Sequence, residues 1–389
     1  MEENEREVKT HSENRVWSWG AGTDGQLASE ILQDSNFPQP LPSLQFTANP
    51  ISHIACGGAH VIALCKDNGK VLTWGRGTSG QLGHGDTKNC LHPLPVHKLE
   101  NLVISNVSAG WNHSGFVSNT GRIFTCGDGS FGQLGHGDDQ SQYLPREVLS
   151  LGSKDVELVA CGMRHTLVLL KEDQIYGFGS GNRGQLGSLL DKTKRSSNLP
   201  QLILGFEGIE ITSISANGDQ SAALTVDGQL YTWGKGYNDN KTDTPYLLQS
   251  SLPSRYTKLA LGWNHALLLS GCGKVFMLGG KRHGMLSDPQ KKSLSRGVSL
   301  VEVSGLDNVK VVDIAAGSEH SALVTENGTI MTWGWGEHGQ LGLGNEEDQT
   351  TPQIVSLGVD HSNTGTRFNI YCGSGFTFAI AKASAESPL

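Results

Sequence analysis

The sequence predicts an all-β fold, a seven-bladed β-propeller of four-stranded antiparallel blades whose ring is closed by the N- and C-terminal strands in one composite blade. Three observations lead to this prediction. A Trp-Gly segment recurs seven times, a Gly-x-x-His segment recurs out of phase with it, and Asn-Gly or Asp-Gly turns lie between them. Length alone would suggest two or three domains, but a regular repeat joins the 389 residues into one large unit.

The first repeated segment has the form Trp-Gly-x-Gly-x-x-Gly-Gln-Leu-Gly. Its first Gly falls at positions 20, 75, 127, 179, 234, 279 and 334, so successive copies are 45 to 55 residues apart. The copy WGRGTSGQLG from Trp74 is regular, whereas WGKGYND from Trp233 and LGGKRHGML from Leu278 depart from the pattern. Cys126, Phe178 and Leu278 replace Trp and are all apolar, which predicts a core position rather than a chemical one.

The second repeated segment is a small residue, Gly, two variable residues and then His. It ends at His60, His113, His165, His265 and His320, and at Gln220 and Phe376 in two degenerate copies. The histidines lie one per blade without a local ligand pair. We therefore predict structural histidines whose two ring nitrogens bond nearby backbone, and no metal or cofactor.

Turn signals separate the second segment from the next Trp-Gly segment. Residues 66–69, 226–228 and 326–328 place Asn-Gly or Asp-Gly between apolar runs, as hairpins do. The strand after each turn, such as VLTW or IFTC, is apolar on both faces. That pattern is typical of a sheet stacked between two other sheets.

The two segments are out of phase at the ends of the chain. The chain enters with VWSWG at 16–20 and leaves with FNIYCGSGFTFAIAK at 368–382, so each end supplies half of one blade. Pairing the halves removes open sheet edges, which otherwise favour aggregation. We expect a disordered tail over 1–14, a propeller over 15–382 and a short tail over 383–389.

Composition and charge exclude several classes of protein. The net charge is −8, whereas a general nucleic-acid binder is normally basic. No apolar run is long enough to span a membrane, and residues 1–15 lack the features of a secretory or mitochondrial signal. The seven cysteines form no CxxC pair, which favours a reducing compartment, the cytoplasm or the nucleus.

The repeat resembles that of the regulator-of-chromosome-condensation family of propellers. The resemblance rests on the seven registered copies of the two segments and covers about residues 15–382. It implies a seven-bladed ring. For function it implies only a range, because the family includes exchange factors, UV-B photoreceptors, ubiquitin-ligase modules and scaffolds.

Catalytic and cofactor motifs have simpler interpretations in this chain. Gly75-x-Gly77-x-x-Gly80 matches the dinucleotide fingerprint, but five such copies, followed by polar loops, predict turns instead. Asp86 and Asp138 lie in repeated Gly-His-Gly-Asp turns and are expected to bond their own backbone. The sequence lacks the hydrolase, zinc-protease and P-loop motifs, so we predict no enzyme.

Two Gly-Trp-Asn-His copies contain Trp111 and Trp263. They resemble the Gly-Trp-Arg-His copies of the family's UV-B photoreceptors, but those lie in consecutive blades, and Asn112 and Asn264 replace Arg here. Copies three blades apart are not expected to form an indole cluster. UV-B perception is therefore the less favoured function, and both Trp are interpreted as rim residues that contact a partner.

Basic residues concentrate in one part of the chain. Residues 181–300 hold 14 Lys and Arg against 8 Asp and Glu, whereas the rest of the chain holds 16 against 30. The least regular repeat copy lies in this basic part, so the basic charge reflects either a binding surface or drift of irregular loops without a function. The predicted partner-binding residues are Lys281, Arg282, His283, Lys291 and Lys292, with Trp111, Trp263 and Arg164 as further candidates.

The most favoured function is a non-catalytic scaffold or adaptor that binds a protein through loops on one face of the ring. The alternative is a guanine-nucleotide exchange factor, so the partner is expected to be an acidic protein or a small GTPase. Membrane association and direct nucleic-acid binding are not expected.

Overall fold

Seven four-stranded antiparallel sheets make up the fold in the computed structural model, which describes residues 15–45, 50–187, 195–235, 241–248, 255–280, 300–358 and 366–382. Six blades consist of consecutive strands, and the seventh joins strands from both ends of the chain. The predicted seven-bladed propeller is therefore confirmed. In this described part of the chain, no helix is long and apolar enough to cross a membrane.

The strands are numbered in chain order, and each whole blade begins with its innermost strand. The chain opens with β1 (Val16–Gly20), β2 (Ser35–Pro40) and a four-residue helix, α1 (Pro42–Gln45). Blade 1 is β3 (Ile51–Cys56), β4 (His60–Cys65), β5 (Val71–Gly75) and β6 (Cys90–Pro95). Blade 2 is β7 (Ile104–Ala109), β8 (His113–Ser118), β9 (Ile123–Gly127) and β10 (Gln142–Glu147). Blade 3 is β11 (Val156–Cys161), β12 (His165–Leu170), β13 (Ile175–Gly179) and β14 (Ser197–Leu202).

The remaining blades follow the same order. Blade 4 is β15 (Ile211–Asn217), β16 (Gln220–Thr225), β17 (Leu230–Lys235) and β18 (Lys241–Leu247). Blade 5 is β19 (Tyr256–Leu261), β20 (His265–Ser270), β21 (Val275–Gly279) and β22 (Val301–Glu302). Blade 6 is β23 (Val311–Ala316), β24 (His320–Thr325), β25 (Ile330–Gly334) and β26 (Gln349–Ile354). Blade 7 adds β27 (Arg367–Cys372) and β28 (Phe376–Lys382) to β1 and β2, and short 3₁₀ helices lie at His97–Leu99 and Leu149–Leu151.

The ring closes in blade 7 as the phase offset of the repeats predicts. Strand β1 pairs antiparallel with β28, from Val16 opposite Ile380 to Gly20 opposite Phe376. Strand β27 then pairs with the other edge of β28. The strand order in blade 7 is β2-β1-β28-β27, so the two ends of the chain together form a four-stranded blade like the other six.

Apolar clusters fill the spaces between neighbouring blades. The second strand of each whole blade is buried along its entire length, since other blades cover both of its faces. The side chains at the repeated Trp position are all buried to within 2% of full coverage, including those that replace Trp. They are Trp19, Trp74, Cys126, Phe178, Trp233, Leu278 and Trp333. The predicted core role of this position is confirmed.

Two faces of the ring differ in what they carry. The histidine-loop face holds the Gly-x-x-His segments, between the first and second strands, and the Trp-Gly-x-Gly segments after the third. The hairpin-turn face holds the turns between the second and third strands. On the histidine-loop face one backbone hydrogen bond of 2.8 to 3.0 Å recurs in all seven blades. Its donors and acceptors are Ala21 and Gly375, Arg76 and Ala59, Asp128 and Asn112, Ser180 and Arg164, Lys235 and Asp219, Gly280 and Asn264, and Trp335 and Glu319.

The glycine-rich segments form turns, as predicted, and not a nucleotide cradle. Gly75 has φ of +95°, and a Cβ there would lie 2.5 Å from the carbonyl oxygen of Ala59 in the neighbouring loop. The predicted backbone bonds of the acidic turns are also present. Asp86 accepts from the Lys88 N–H, and Asp138 accepts from the Gln140 N–H, both at 3.0 Å.

Candidate functional site

The five repeat histidines join neighbouring blades. Each ring Nε2 lies 2.9 to 3.0 Å from a hydroxyl of the next blade; the pairs are His60 and Ser114, His113 and Thr166, His165 and Ser221, His265 and Ser321, and His320 and Thr377. We call the contact between two neighbouring blades a seam. Four of those hydroxyls also donate to the backbone carbonyl of a Gln in the histidine's own blade, at 2.7 to 3.0 Å. The pairs are Ser114 and Gln81, Thr166 and Gln133, Ser221 and Gln185, and Thr377 and Gln340. A hydroxyl that donates its proton there must accept from Nε2–H. The prediction of backbone partners was therefore wrong in its detail, because the partner is a side chain about one repeat away.

Burial keeps these histidines neutral. It lowers the pKa of His60, His165 and His320 to about 3 and the pKa of His113 and His265 to about 4. Their Nδ1 atoms are buried without a hydrogen-bond partner among the described residues. Over the same residues, no three His, Cys, Asp or Glu side chains come together as metal ligands. The histidines thus tie the blades together.

The repeated Trp adds bonds between neighbouring blades, including blades 7 and 1, which no repeat histidine joins. The indole N–H of Trp19, Trp74 and Trp233 donates at 2.9 Å to the carbonyl of Gln340, Gln26 and Gln185, respectively. Where Cys126 replaces Trp, its thiol lies 3.7 Å from the Gln81 carbonyl. Each such glutamine carbonyl belongs to the blade on the far side of a seam. The histidine loops are consequently held on a stiff ring.

A ring of seven side chains surrounds the axis at the histidine-loop face. They follow the Gly of each repeated segment, or Asn217 in the degenerate copy of blade 4, and are Gly58, Trp111, Met163, Gly218, Trp263, Ser318 and Ser374. Below them lies an axial channel of about 280 Å³, which is lined by the first strand of every blade. We call these seven residues the mouth ring. Its members differ widely, although the framework around them repeats.

Trp111 and Trp263 meet at the axis, contrary to the expectation that copies three blades apart stay separate. Their ring centroids are 5.1 Å apart and their planes are tilted by 42°. The expectation was wrong because the innermost strands converge on a narrow axis, where side chains of distant blades become neighbours. Small residues leave the necessary room. A Cβ on Gly58 would lie 3.0 Å from the Trp111 ring, and one on Gly218 would lie 3.3 Å from Trp263.

The tryptophan pair is half-buried and so presents an indole surface at the centre of the face. The Arg76 guanidinium lies 5.9 Å from the Trp111 ring centroid and 4.0 Å from Asp24. Asn264 donates to Glu319 at 3.0 Å. The centre of the histidine-loop face therefore combines aromatic surface with charges of both signs, as protein-binding sites do.

The other predicted site residues are divided. Arg164 is exposed on the histidine-loop face, with its guanidinium 4.6 Å from the centroid of the Phe131 ring. Lys281, Arg282, His283, Lys291 and Lys292 lie outside the described residues. Gly280, which precedes them, is on the histidine-loop face, where its N–H donates to the Asn264 carbonyl at 3.0 Å.

Several residues of this face were missed from the sequence. Phe131, Arg183 and Arg195 are exposed on it beside Arg164, and Arg76 lies beside Trp111. Their sequence signal was weak, since Arg76, Phe131 and Arg183 occupy variable positions of the repeated segments and Arg195 lies outside them. A comparison of the variable positions of all seven copies, in place of a search for irregular copies, would have singled them out.

Known proteins resemble this chain along most of its length. The RCC1-like domain family matches residues 15–379. The ultraviolet-B receptor UVR8 of Arabidopsis thaliana is 30% identical over 353 residues, which are 89% of this chain and 78% of the receptor. The secretion-regulating guanine nucleotide exchange factor of Bos taurus is 29% identical over 95% of this chain and 84% of its own. Prp20p of Saccharomyces cerevisiae has a similar fold, with a TM-score of 0.81 and 22% identity over 96% of this chain and 92% of Prp20p.

Proposed function

Because the chain belongs to the RCC1-like domain family, we propose that it is a non-catalytic scaffold or adaptor whose protein partner binds the histidine-loop face. The solved structure of Prp20p is described together with its binding to Gsp1p and histones, so a propeller of this fold can serve as a protein-binding surface. By composition we place the protein in the cytoplasm or the nucleus.

The observation that carries the proposal is the mouth ring. Around it, the same backbone bond of 2.8 to 3.0 Å recurs in every blade, so the framework is uniform. Within it, the side chains range from Gly to Trp, and the two Trp form a pair at the centre of the face. Variable loops on a uniform rigid scaffold are the usual location of binding residues, and half-buried Trp is a frequent contributor to binding energy.

The proposed site extends outward from this pair. Arg164 lies on the same face, and the segment with Lys281, Arg282, His283, Lys291 and Lys292 follows Gly280, which also lies there. These residues form the proposed basic side of the site. A basic side would raise the association rate of an acidic partner, with an effect that weakens as salt rises.

Replacing both Trp with Ser, the residue that the ring already has at positions 318 and 374, should abolish partner binding. We expect the Trp111→Ser/Trp263→Ser variant to recover its specific partners from lysate at roughly a tenth of the wild-type yield or less, because central aromatic residues often dominate binding energy. Quantitative mass spectrometry after affinity purification measures this yield. The melting temperature should fall by only a few degrees, since the pair lies at the surface of the ring.

The matched control is Val103→Ser/Leu149→Ser, which removes two apolar side chains that are 47% and 75% exposed on the hairpin-turn face. This control should recover the same partners as the wild type. Equal losses in both variants, or none in the Trp variant, would remove the histidine-loop face as the binding site.

Guanine-nucleotide exchange is the second candidate function. The bovine exchange factor is 29% identical over 95% of this chain, which supports exchange as a candidate activity. A panel of small GTPases loaded with fluorescent GDP separates the two functions. Under the scaffold proposal, the protein leaves the rate of GDP release within about twofold of the spontaneous rate; an acceleration of a hundredfold or more for one GTPase would identify an exchange factor.

UV-B perception remains the less favoured hypothesis, although one of the two arguments against it no longer holds. The Trp111–Trp263 pair exists, so distance between the copies no longer argues against it. The remaining argument is the replacement of Arg by Asn112 and Asn264 in the two copies that resemble those of the photoreceptors.

A further inference from the structure

Four cations of the hairpin-turn face form ion pairs with carboxylates, and so does Arg76 on the histidine-loop face. On the hairpin-turn face, Lys171, Lys274 and Lys310 pair with carboxylates at 2.5 to 2.9 Å, and Arg122 pairs with Glu147. On the histidine-loop face, three exposed arginines of blade 3 have no carboxylate partner among the described residues: Arg164, Arg183 and Arg195. We call these three the arginine patch.

Short contacts within blade 3 make the patch continuous. The Arg164 carbonyl accepts from the Ser180 N–H at 2.8 Å, which brings the histidine loop against the loop that begins at residue 180. The next residue, Gly181, donates its N–H to the Ser196 hydroxyl at 3.2 Å. A Cβ on Gly181 would lie 1.7 Å from the Arg195 carbonyl oxygen, so both ends of that loop lie side by side.

Arg183 lies on the same loop, and its backbone is fixed there. Its N–H donates to the side-chain oxygen of Gln185 at 2.9 Å, and Gln185 is fully buried. The three arginines therefore stand on backbone that is anchored to the ring, which lowers the entropic cost of using them together.

Phe131 of blade 2 orients one member of the patch. The Arg164 guanidinium stacks over its ring at 4.6 Å, and Phe131 is itself 38% exposed. Stacking covers one flat side of a guanidinium but leaves its N–H edges free for two parallel hydrogen bonds. Arg164 is thus held in a suitable state to bind a carboxylate.

Carboxylates near the patch are already used in other contacts. Asp128 accepts from the Ser130 N–H at 3.0 Å, Asp139 accepts from Asn198 at 3.3 Å, and Asp219 accepts from Gln185 at 3.2 Å. These hydrogen bonds tie the three carboxylates to groups of the loops themselves. None of these three acids forms an ion pair with the arginine patch, so the guanidinium N–H groups of the patch are available to an external anion.

We propose that the arginine patch binds a short acidic segment of the protein partner, with a carboxylate seated on Arg164 and an apolar side chain against Phe131. This inference rests on the proposed function, since it names the chemistry of a partner that docks on the same face. A nucleic acid fits less well. The chain carries 38 Asp and Glu against 30 Lys and Arg, so a long polyanion that left the patch would meet an acidic ring.

The test uses the full chain and a fluorescein-labelled peptide of alternating glutamate and leucine, with binding followed by fluorescence anisotropy. We expect Arg164→Glu/Arg183→Glu/Arg195→Glu to weaken binding about a hundredfold, because three charge-assisted contacts become repulsive. The matched control, Lys66→Glu/Lys70→Glu/Lys98→Glu, changes the net charge equally on the hairpin-turn face and should weaken binding less than about threefold. Equal weakening in the two variants would reduce the effect to net charge and overturn the proposal.

Two further measurements separate the alternatives. Phe131→Leu should weaken peptide binding several-fold while it keeps the salt dependence, and an unchanged affinity would overturn the role of the stacked ring. A single-stranded DNA oligonucleotide that binds the arginine patch as tightly as the peptide would overturn the acidic-segment assignment.

Failure of this inference is distinguishable from failure of the proposed function. The Trp111→Ser/Trp263→Ser variant retains the patch and should bind the peptide like the wild type. If the peptide does not bind while that variant still loses its lysate partners, the arginine patch is excluded and the scaffold proposal stands.

Discussion

Deleting residues 366–389 should convert the closed ring into aggregated protein. The deletion removes β27 and β28, which leaves β1 paired only with β2 and exposes the other edge of β1. It also removes Phe376 and Phe378, both 0% exposed, from the apolar cluster that blade 7 shares with blade 1. Unpaired strand edges beside an exposed apolar face are a template for aggregation.

The expected result is loss of most of the chain from the supernatant after expression, and loss of the cooperative thermal transition in what remains. The control is deletion of residues 383–389, which lie beyond β28 and should leave both measurements near wild type. A 366–389 deletion that stays in solution with a full cooperative melt would show that the ring does not depend on its composite blade.

Acid should unfold the protein steeply between about pH 6.5 and pH 4. Burial lowers the pKa of the five repeat histidines to about 3 or 4, whereas an unfolded histidine titrates near 6.5. Below pH 6.5 the unfolded chain therefore binds protons that the folded chain does not. The histidine contribution to the free energy of unfolding is complete above pH 6.5. As the pH falls below 6.5, each histidine lowers the free energy of unfolding by about 1 kcal/mol per pH unit.

Acid lowers the stability because protonation would place a buried charge on each of these histidines. Nε2–H already donates to the hydroxyl of the next blade, and a second proton on buried Nδ1 would place a charge where no described residue accepts it. Urea titrations across this pH range measure the slope of unfolding free energy against pH.

Gln220 supplies the matched control, because blade 4 already has Gln in place of the repeat histidine. The His60→Gln/His165→Gln variant loses two of the five repeat histidines, so the contribution of these five to the slope should fall by about two fifths. His53, His84 and His136, whose pKa is also lowered by burial, titrate alike in both proteins. Carboxylates titrate alike in both proteins and cancel in the comparison. A variant with the wild-type slope would mean that these histidines are not the source of the acid sensitivity.

The sequence by itself determined the architecture. Seven registered copies set the number of blades, the Asn-Gly and Asp-Gly turns set the hairpins, and the phase offset of the two segments set the composite blade. Each of these is a local sequence pattern, and its regular repetition along the chain predicts one blade for each copy. Apolar replacements at the Trp position, such as Phe178, were likewise enough to assign that position to the core.

Only the tertiary structure decided which side chains meet. The hydroxyl partner of His60 is Ser114, one blade away, and the partner of Trp111 is Trp263, three blades away and across the axis. Likewise, Arg164 meets Phe131 of the neighbouring blade, while Arg183 and Arg195 come beside it through a folded loop. Spacing along the chain does not encode these contacts. They arise because a closed ring brings the innermost strands of all blades to one narrow axis and sets each blade against the next, which determines distances that no local pattern contains.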